Sequence, residues 1–150
     1  MARAADKFWL FACRAGDDDS YLENGGKSGY FSEKSRITPA EGAYMLGIDN
    51  MIMVVSHGDP KSFSPEAYGY MESFCRMNNV FWSSTGSAGY RAGDEEAFIC
   101  ELAEKYPSIR GAYLDDFAGM FDAPPAEKKE KMIAMLREIR AGLDRACRRM

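Results

Sequence analysis

Short apolar runs alternate with longer amphipathic segments along this chain. Four runs are rich in aromatic or branched side chains: Phe8-Trp9-Leu10-Phe11-Ala12, Met51-Ile52-Met53-Val54-Val55, Val80-Phe81-Trp82 and Ala112-Tyr113-Leu114. Polar or glycine-containing sequence follows each run, which is typical of buried strands. The pattern therefore predicts strands that begin near Phe8, Met51, Val80 and Gly111.

Helix start signals stand between the predicted strands. Thr38-Pro39-Ala40-Glu41 has the elements of a capping box, because a Thr at the cap is followed by Pro and then by Glu three residues after the cap. Ser64-Pro65 repeats the cap and the Pro, and Asp94-Glu95-Glu96 places acids where a helix N-terminus favours negative charge. Apolar stripes at helical spacing follow these signals, and a further stripe runs from about Glu127 to the end.

The resulting order is βαβαβαβα, which predicts an α/β fold with parallel strands. With 150 residues, 46% of them hydrophobic, the chain suits one (βα)4 domain over residues 1–150, with a long loop after the first strand at about 14–37. Four such units fit half of a (β/α)8 barrel or, alternatively, a small doubly wound open sheet.

Cofactor fingerprints are absent from this sequence. No predicted strand is followed by G-x-G-x-x-G, and Gly25-Gly26-Lys27-Ser28 lacks the first glycine of a phosphate loop because Tyr21 stands in its place. We therefore expect no cofactor, and a plain turn at residues 25–28.

Composition and charge narrow the expected partners and location. The formal net charge of −4, from 23 acids and 19 bases, gives no broad attraction for nucleic acid or an anionic membrane. The apolar run at the N-terminus is too short for a signal peptide or a membrane span, so the predicted location is the cytoplasm. The widely spaced cysteines contain no Cys-x-x-Cys pair, and most are expected to be reduced core residues: Cys13, Cys75, Cys100 and Cys147.

Polar residues follow every predicted strand. The set comprises Arg14 with Asp17, Asp18 and Asp19, then Ser56, His57, Gly58 and Asp59, then Ser83, Ser84, Thr85, Gly86 and Ser87, and finally Asp115 and Asp116. Because the carboxyl ends of parallel strands meet at one edge of a sheet, where ligands and chemistry gather, we expect these residues to line a common site.

Individual members of this set allow more than one role. His57, the only histidine, could be a general base or a metal ligand, or a hydrogen-bonded loop residue. Asp115 could act as a general acid or nucleophile if apolar neighbours raised its proton affinity, while Asp116 stayed ionised and oriented substrate hydroxyls. Either acid could instead cap a helix or loop. Four aromatic residues could stack on sugar rings or belong to the core: Trp9, Trp82, Tyr90 and Tyr113.

The segment Ala112-Tyr113-Leu114-Asp115-Asp116-Phe117 resembles the fourth strand of a glycoside-hydrolase-like (β/α)8 barrel, and the chain as a whole resembles the N-terminal half of such a barrel. In many such hydrolases a carboxylate on the fourth strand is the acid/base, and Asp115 or Asp116 matches that place. The resemblance implies a carbohydrate-binding site that these acids share with other residues: Arg14, His57, Asp59, Trp82, Ser84 and Tyr113.

Strands five to eight of the barrel have no counterpart in this sequence, so the resemblance implies an inactive or incomplete barrel. A second copy of the chain, or a missing C-terminal half, would complete it. One alternative is a metal-dependent or phosphate-handling enzyme that uses His57, Asp59 and Asp115. Another is a non-catalytic assembly module.

Overall fold

The computed structural model describes residues 4–16, 36–56 and 58–147. The strands are β1 (Leu10–Ala12), β2 (Asn50–Met53), β3 (Asn79–Thr85) and β4 (Ile109–Leu114), and the helices are α1 (Pro39–Leu46), α2 (Pro65–Ser73), α3 (Glu95–Lys105) and α4 (Pro125–Cys147). Short 3-10 turns span Ala4–Lys7, Ser87–Gly89 and Phe117–Met120. The predicted order of elements is confirmed, and each strand begins within about two residues of its predicted start.

The four strands form one parallel sheet in the order β1-β2-β3-β4. The predicted α/β class with parallel strands is therefore confirmed. Because the order never reverses, right-handed crossovers place successive helices on the same face of the sheet. A doubly wound sheet reverses its strand order, so this topology favours a partial barrel.

One face of the sheet carries the core. Met51, Met53, Val80 and Trp82 lie on this face and are at most 2% exposed. They pack against buried helix residues, namely Ala43, Ala67, Met71, Phe74, Phe98, Ile99 and Leu102. Burying each large apolar side chain stabilises the fold by about 1.5–3 kcal/mol, so this layer is the main source of stability.

The opposite face, which we call the open face, carries Trp9, Phe11, Ile52, Phe81 and Tyr113. Trp9 stacks on Phe81 with ring centroids 4.9 Å apart, and Phe11 meets Tyr113 edge-on at 5.8 Å. Phe11 is nevertheless 54% exposed and Trp9 is 37% exposed. The aromatic residues of this face contact one another but remain accessible.

Hydrogen bonds between side chains join the amino ends of the strands. Asn79 Nδ2 donates to Asn50 Oδ1 at 2.7 Å, and Arg110 Nε donates to Asn79 Oδ1 at 3.0 Å. Asn50 Nδ2 in turn donates to the carbonyls of Asp6 and Phe8. This network ties β2, β3 and β4 to the segment before β1.

Two of the predicted helix caps are confirmed. The Glu41 amide donates to Thr38 Oγ1 at 3.3 Å while the Thr38 amide donates to Glu41 Oε2 at 2.8 Å, which completes the capping box of α1. The Ala67 amide donates to Ser64 Oγ at 3.1 Å at the start of α2. Asp94 precedes α3 but makes no capping hydrogen bond with its side chain.

The prediction that most cysteines are reduced core residues was wrong, because two of the four are disulfide-bonded and a third is exposed. Cys100 in α3 and Cys147 in α4 form a disulfide, with their Cα atoms 5.4 Å apart, and Cys75 is exposed. The spacing of cysteines in sequence gave no sign of this bond, because it joins residues 47 positions apart on two packed helices. Disulfides persist mainly in oxidising compartments, which weighs against the predicted cytoplasmic location.

Candidate functional site

Several of the predicted site residues lie beyond the carboxyl ends of the strands, which share one edge of the sheet because all four strands run in the same direction. Arg14 follows β1, Asp59 follows β2, and Asp115 and Asp116 follow β4. Asp17, Asp18, Asp19 and His57 lie outside the described residues. The glycine-containing segment at residues 25–28 also lies outside them.

Arg14 and Asp59 form an ion pair between the chain after β1 and the loop after β2. Arg14 Nη1 lies 3.3 Å from Asp59 Oδ2 and 3.7 Å from Glu66 Oε1. Next to this cluster, the Ala15 amide donates to the Tyr70 hydroxyl at 2.8 Å, and burial raises the pKa of Tyr70. Arg14 therefore connects the chain after β1 to the β2 loop and to α2.

Asp115 and Asp116 are neighbours with different surroundings. Asp115 is half-buried, and its backbone is fixed against β3: its amide donates to the Thr85 carbonyl, and its carbonyl accepts from Thr85 Oγ1 at 2.8 Å. Burial raises the pKa of the Asp115 carboxyl, and the neighbouring Asp116 charge raises it further. A raised pKa in a half-buried carboxyl is the environment expected of a general acid.

Asp116 is exposed, and its carboxylate is held by the preceding loop. Its Oδ2 accepts a hydrogen bond from the Ala88 amide at 2.8 Å. Its backbone has a φ of 46°, a left-handed conformation that is uncommon for residues other than glycine. Such strain is retained where surrounding contacts fix it, and it often accompanies functional sites.

The loop of residues 86–90 joins the β2 and β4 sides of this edge. The Ser87 amide donates a hydrogen bond to the Val55 carbonyl, and the Ala88 amide donates one to the Asp116 carboxylate. A Cβ at Gly86 would lie 2.3 Å from the Val55 carbonyl oxygen, so only glycine allows this approach.

Ser84 and Trp82 are turned away from the open face. Trp82 lies in the core, 2% exposed, with its ring edge-on to Phe98 at 5.6 Å. The Ser84 hydroxyl is completely buried, where it donates to Glu96 Oε1 at 2.7 Å and accepts from Arg91 Nη1 at 3.2 Å. In this structure both residues stabilise the layer between β3 and α3.

Sequence reasoning missed a buried charged cluster beneath the edge. Arg91 binds Glu96 through two hydrogen bonds of 2.9 and 3.0 Å, and Glu95 accepts from the amides of Ala92 and Gly93. Both glutamates are only 7% exposed. The sequence signal for this cluster was an Arg followed within five residues by three acids. Acids at the start of a helix are normally solvated, so the pattern did not predict their burial. The cluster fixes the loop that leads into α3.

Tyr113 belongs to the open face, half-buried beside Phe11. Tyr113 is the second-to-last residue of β4 and precedes Asp115 by two positions. Among the predicted aromatic residues, Tyr90 is 43% exposed at the carboxyl edge, whereas Trp9 lies on the open face below.

No group of three or more metal-ligating side chains is arranged to hold an ion within residues 4–16, 36–56 and 58–147. Asp59, one of the ligands that the metal hypothesis names, is instead paired with Arg14. The described residues therefore give the metal-dependent alternative no support.

The fold and the strand-end acids define a parallel α/β protein with a candidate site at the carboxyl edge of its sheet. Comparisons of the chain with protein-family models, with curated proteins and with solved structures found no match. In the part of the chain that the structure describes, no helix has both the length and the apolar character needed to cross a membrane.

Proposed function

We propose that this chain is a glycoside-hydrolase-like half-barrel that binds a carbohydrate at the carboxyl edge of its sheet, with Asp115 as the acidic group of the site. The observation that carries the proposal is the pair of adjacent acids after β4, of which one is half-buried and the other exposed and held by a backbone amide. Two carboxylates in unlike environments can divide the work of donating and accepting protons.

The chemistry of each acid follows from its surroundings. Burial raises the pKa of the Asp115 carboxyl, which can accept hydrogen bonds from sugar hydroxyls when it is ionised and can donate one to a sugar or glycosidic oxygen when it is protonated. Asp116 can accept hydrogen bonds from sugar hydroxyls through lone pairs that the Ala88 amide leaves unused. Tyr113 and Phe11 add aromatic surface against which an apolar sugar face can pack.

The proposal is limited to binding. Glycosidases use two carboxyl groups on opposite sides of the scissile bond, about 5–9.5 Å apart. Asp59 in the loop after β2 and Glu66 in the first turn of α2 are both paired with Arg14. Binding is therefore the property to measure, and turnover is not assumed.

The test replaces each acid with its isosteric amide. Asp115→Asn and Asp116→Asn are each expected to weaken oligosaccharide binding by tenfold or more, because hydrogen bonds to charged groups contribute about 1.5–3 kcal/mol. Isothermal titration against a panel of neutral oligosaccharides measures the effect. Asp122→Asn is the matched control, since Asp122 is exposed in the segment after the same strand.

Two checks keep this test decisive. Both variants should melt within a few degrees of the wild-type chain, because neither carboxylate bonds to another side chain in the described residues. Unchanged affinity in both folded variants would remove the basis of the proposal.

A second candidate function is assembly through the open face, favoured by the exposure of Phe11 and Trp9. Of the four parallel strands, β1 and β4 form the edges of the sheet. Two copies related by a twofold axis would pair β4 of each with β1 of the other and close eight strands. Eight is the number at which side chains fill a barrel interior. The expected occupant of the open face is thus a second copy of this chain.

A further inference from the structure

A small cavity opens at the carboxyl edge between the β2 and β3 loops. It measures about 200 Å³, and its polar lining includes Lys61, Ser62, Tyr90, Asp94 and Glu95. Ser83, Gly86, Val55 and Pro60 also line it. The predicted site residues Asp115 and Asp116 do not line it.

Close backbone contacts shape the walls of this cavity. Gly58 has a φ of 83°, and a Cβ there would lie 3.2 Å from the Tyr90 ring. Gly86 lies against the Val55 carbonyl, as described above, and its amide donates to the Tyr90 carbonyl at 2.9 Å. The Tyr90 ring is therefore held at the rim, where 43% of the side chain remains exposed.

The charges around the cavity are balanced. The Glu95 carboxylate is compensated inside the protein, because it accepts from two backbone amides and lies 4.0 Å from Arg91. Lys61 and Asp94 are the exposed charged residues of the lining, and the Asp94 side chain makes no capping bond. One exposed cation and one exposed anion suit a neutral ligand with both donors and acceptors.

We infer that this cavity is a subsite for a single neutral sugar ring, with Lys61 and Asp94 binding its hydroxyls and the Tyr90 ring packing on its apolar face. The inference rests on the carbohydrate-binding function proposed above and names the class of unit bound. The volume lies below the range of about 300–1,000 Å³ for sites that hold drug-sized ligands, which fits one ring.

The subsite and the acids lie on two sides of one loop. Residues 86–90 contact the Val55 and Gly58 side through Ser87 and Tyr90, and the Asp116 side through Ala88. A bound oligosaccharide would therefore place one unit in the cavity and a neighbouring unit near Asp115. The loop is the element that sets the distance between them.

The experiment titrates the full chain with a panel of neutral monosaccharides, followed by NMR and calorimetry. Lys61→Met and Asp94→Asn are each expected to weaken monosaccharide binding about tenfold, the effect of removing one charged hydrogen-bonding group. Arg76→Met is the control, because Arg76 lines a separate groove between the ends of α1 and α2. Asp115→Asn should leave monosaccharide binding nearly unchanged while weakening oligosaccharide binding.

Three results would overturn the subsite. The first is that the wild-type chain binds no monosaccharide. The second is that Lys61→Met and Asp94→Asn leave monosaccharide binding unaltered, and the third is that inorganic phosphate displaces the sugar. If oligosaccharide binding is still lost in Asp115→Asn, the proposed function survives without the subsite. If neither the wild-type chain nor any of the variants binds oligosaccharides, the proposed function fails as well.

Discussion

At the scale of single residues, the contrast between Asp115 and Asp116 follows from the end of β4. Asp115 remains paired to β3 through its backbone and is half-buried, while Asp116 leaves the strand in a left-handed conformation and is exposed. The same two-residue sequence therefore supplies one acid with a raised pKa and one that accepts a backbone hydrogen bond. Adjacent acids in a regular strand would also point to opposite faces, but the turn at Asp116 increases the difference between their surroundings.

The raised pKa of Asp115 makes stability depend on pH in a defined direction. Folding raises this pKa above the ordinary value of about 3.9, so the ionised carboxylate is less favourable in the folded chain than in the unfolded chain. Its contribution therefore destabilises the fold as pH rises from about 3.9 through the folded-state pKa. Asp115→Asn is expected to raise the melting temperature by about 1–2 °C at pH 7.

Thermal melts of wild type and Asp115→Asn at pH 7 and at pH 3 measure this effect. The gain should vanish at pH 3, where the carboxyl is protonated in both states. Asp122→Asn should give no pH-dependent gain. A lower melting temperature for Asp115→Asn at pH 7 would show that the charge stabilises the fold.

The sequence could predict where site residues lie but not which way each one faces. Val80-Phe81-Trp82 is apolar at every position, so alternation did not reveal that Trp82 and Ser84 face the helices. Both faces of a parallel strand are commonly apolar, which removes the signal. The burial of Glu95 and Glu96 was equally hidden, because it depends on Arg91 and on the packing of α4.

At the scale of elements, α4 is attached to the rest of the protein mainly through α3. Ile139 is its one buried residue within the described chain, and a Cβ at Gly142 would lie 3.0 Å from Glu96 Cγ. The Cys100–Cys147 disulfide links the far end of α4 to α3. Because this long helix buries little surface, we expect it to depend on the covalent link to stay docked.

Cys147→Ser is accordingly expected to lower the free energy of unfolding by about 2–4 kcal/mol, because the unfolded chain has more conformational freedom without the disulfide. Denaturant titration with and without a reducing agent measures the loss. Reduction should destabilise wild type by a similar amount and leave Cys147→Ser unaffected. Cys75→Ser, at an exposed position, should behave like wild type. Equal stability of oxidised and reduced wild type would mean that α4 stays docked without the bond.

Helix starts were predictable because caps are local in sequence, as with Thr38 and Glu41. The disulfide was not, since it depends on which helices pack together. The apolar stripe of α4 was visible in the sequence, but Ile133 and Leu136 remain exposed, so the stripe overstated how much of the helix is buried.

At the scale of the whole molecule, the sheet has one face covered by helices and one open face. If a second copy covers the open face, the chain should have a mass near twice 16.8 kDa in solution. Phe11→Glu places a charge on this face, where Phe11 is 54% exposed, and should yield a monomer. Tyr44→Glu, at a 72% exposed position on α1, is the matched control and should leave the mass unchanged.

Light scattering coupled to size exclusion, over a range of concentrations, measures these masses. A wild-type chain that stays monomeric at high concentration would reject the second copy as the occupant. If wild type is a dimer and Phe11→Glu has the same mass, the contact between copies lies elsewhere on the surface.

The linked asparagines Asn50 and Asn79, with Arg110, have a consequence for how this scaffold can change. They anchor one end of the strands independently of the loops at the other end. Substitutions in the 61–62 and 87–90 segments, which leave Gly58, Gly86 and the buried Arg91 in place, can therefore be tested for altered ligand preference while the anchored end preserves strand register. Directed evolution that varies only those segments should recover new specificities with few unfolded members.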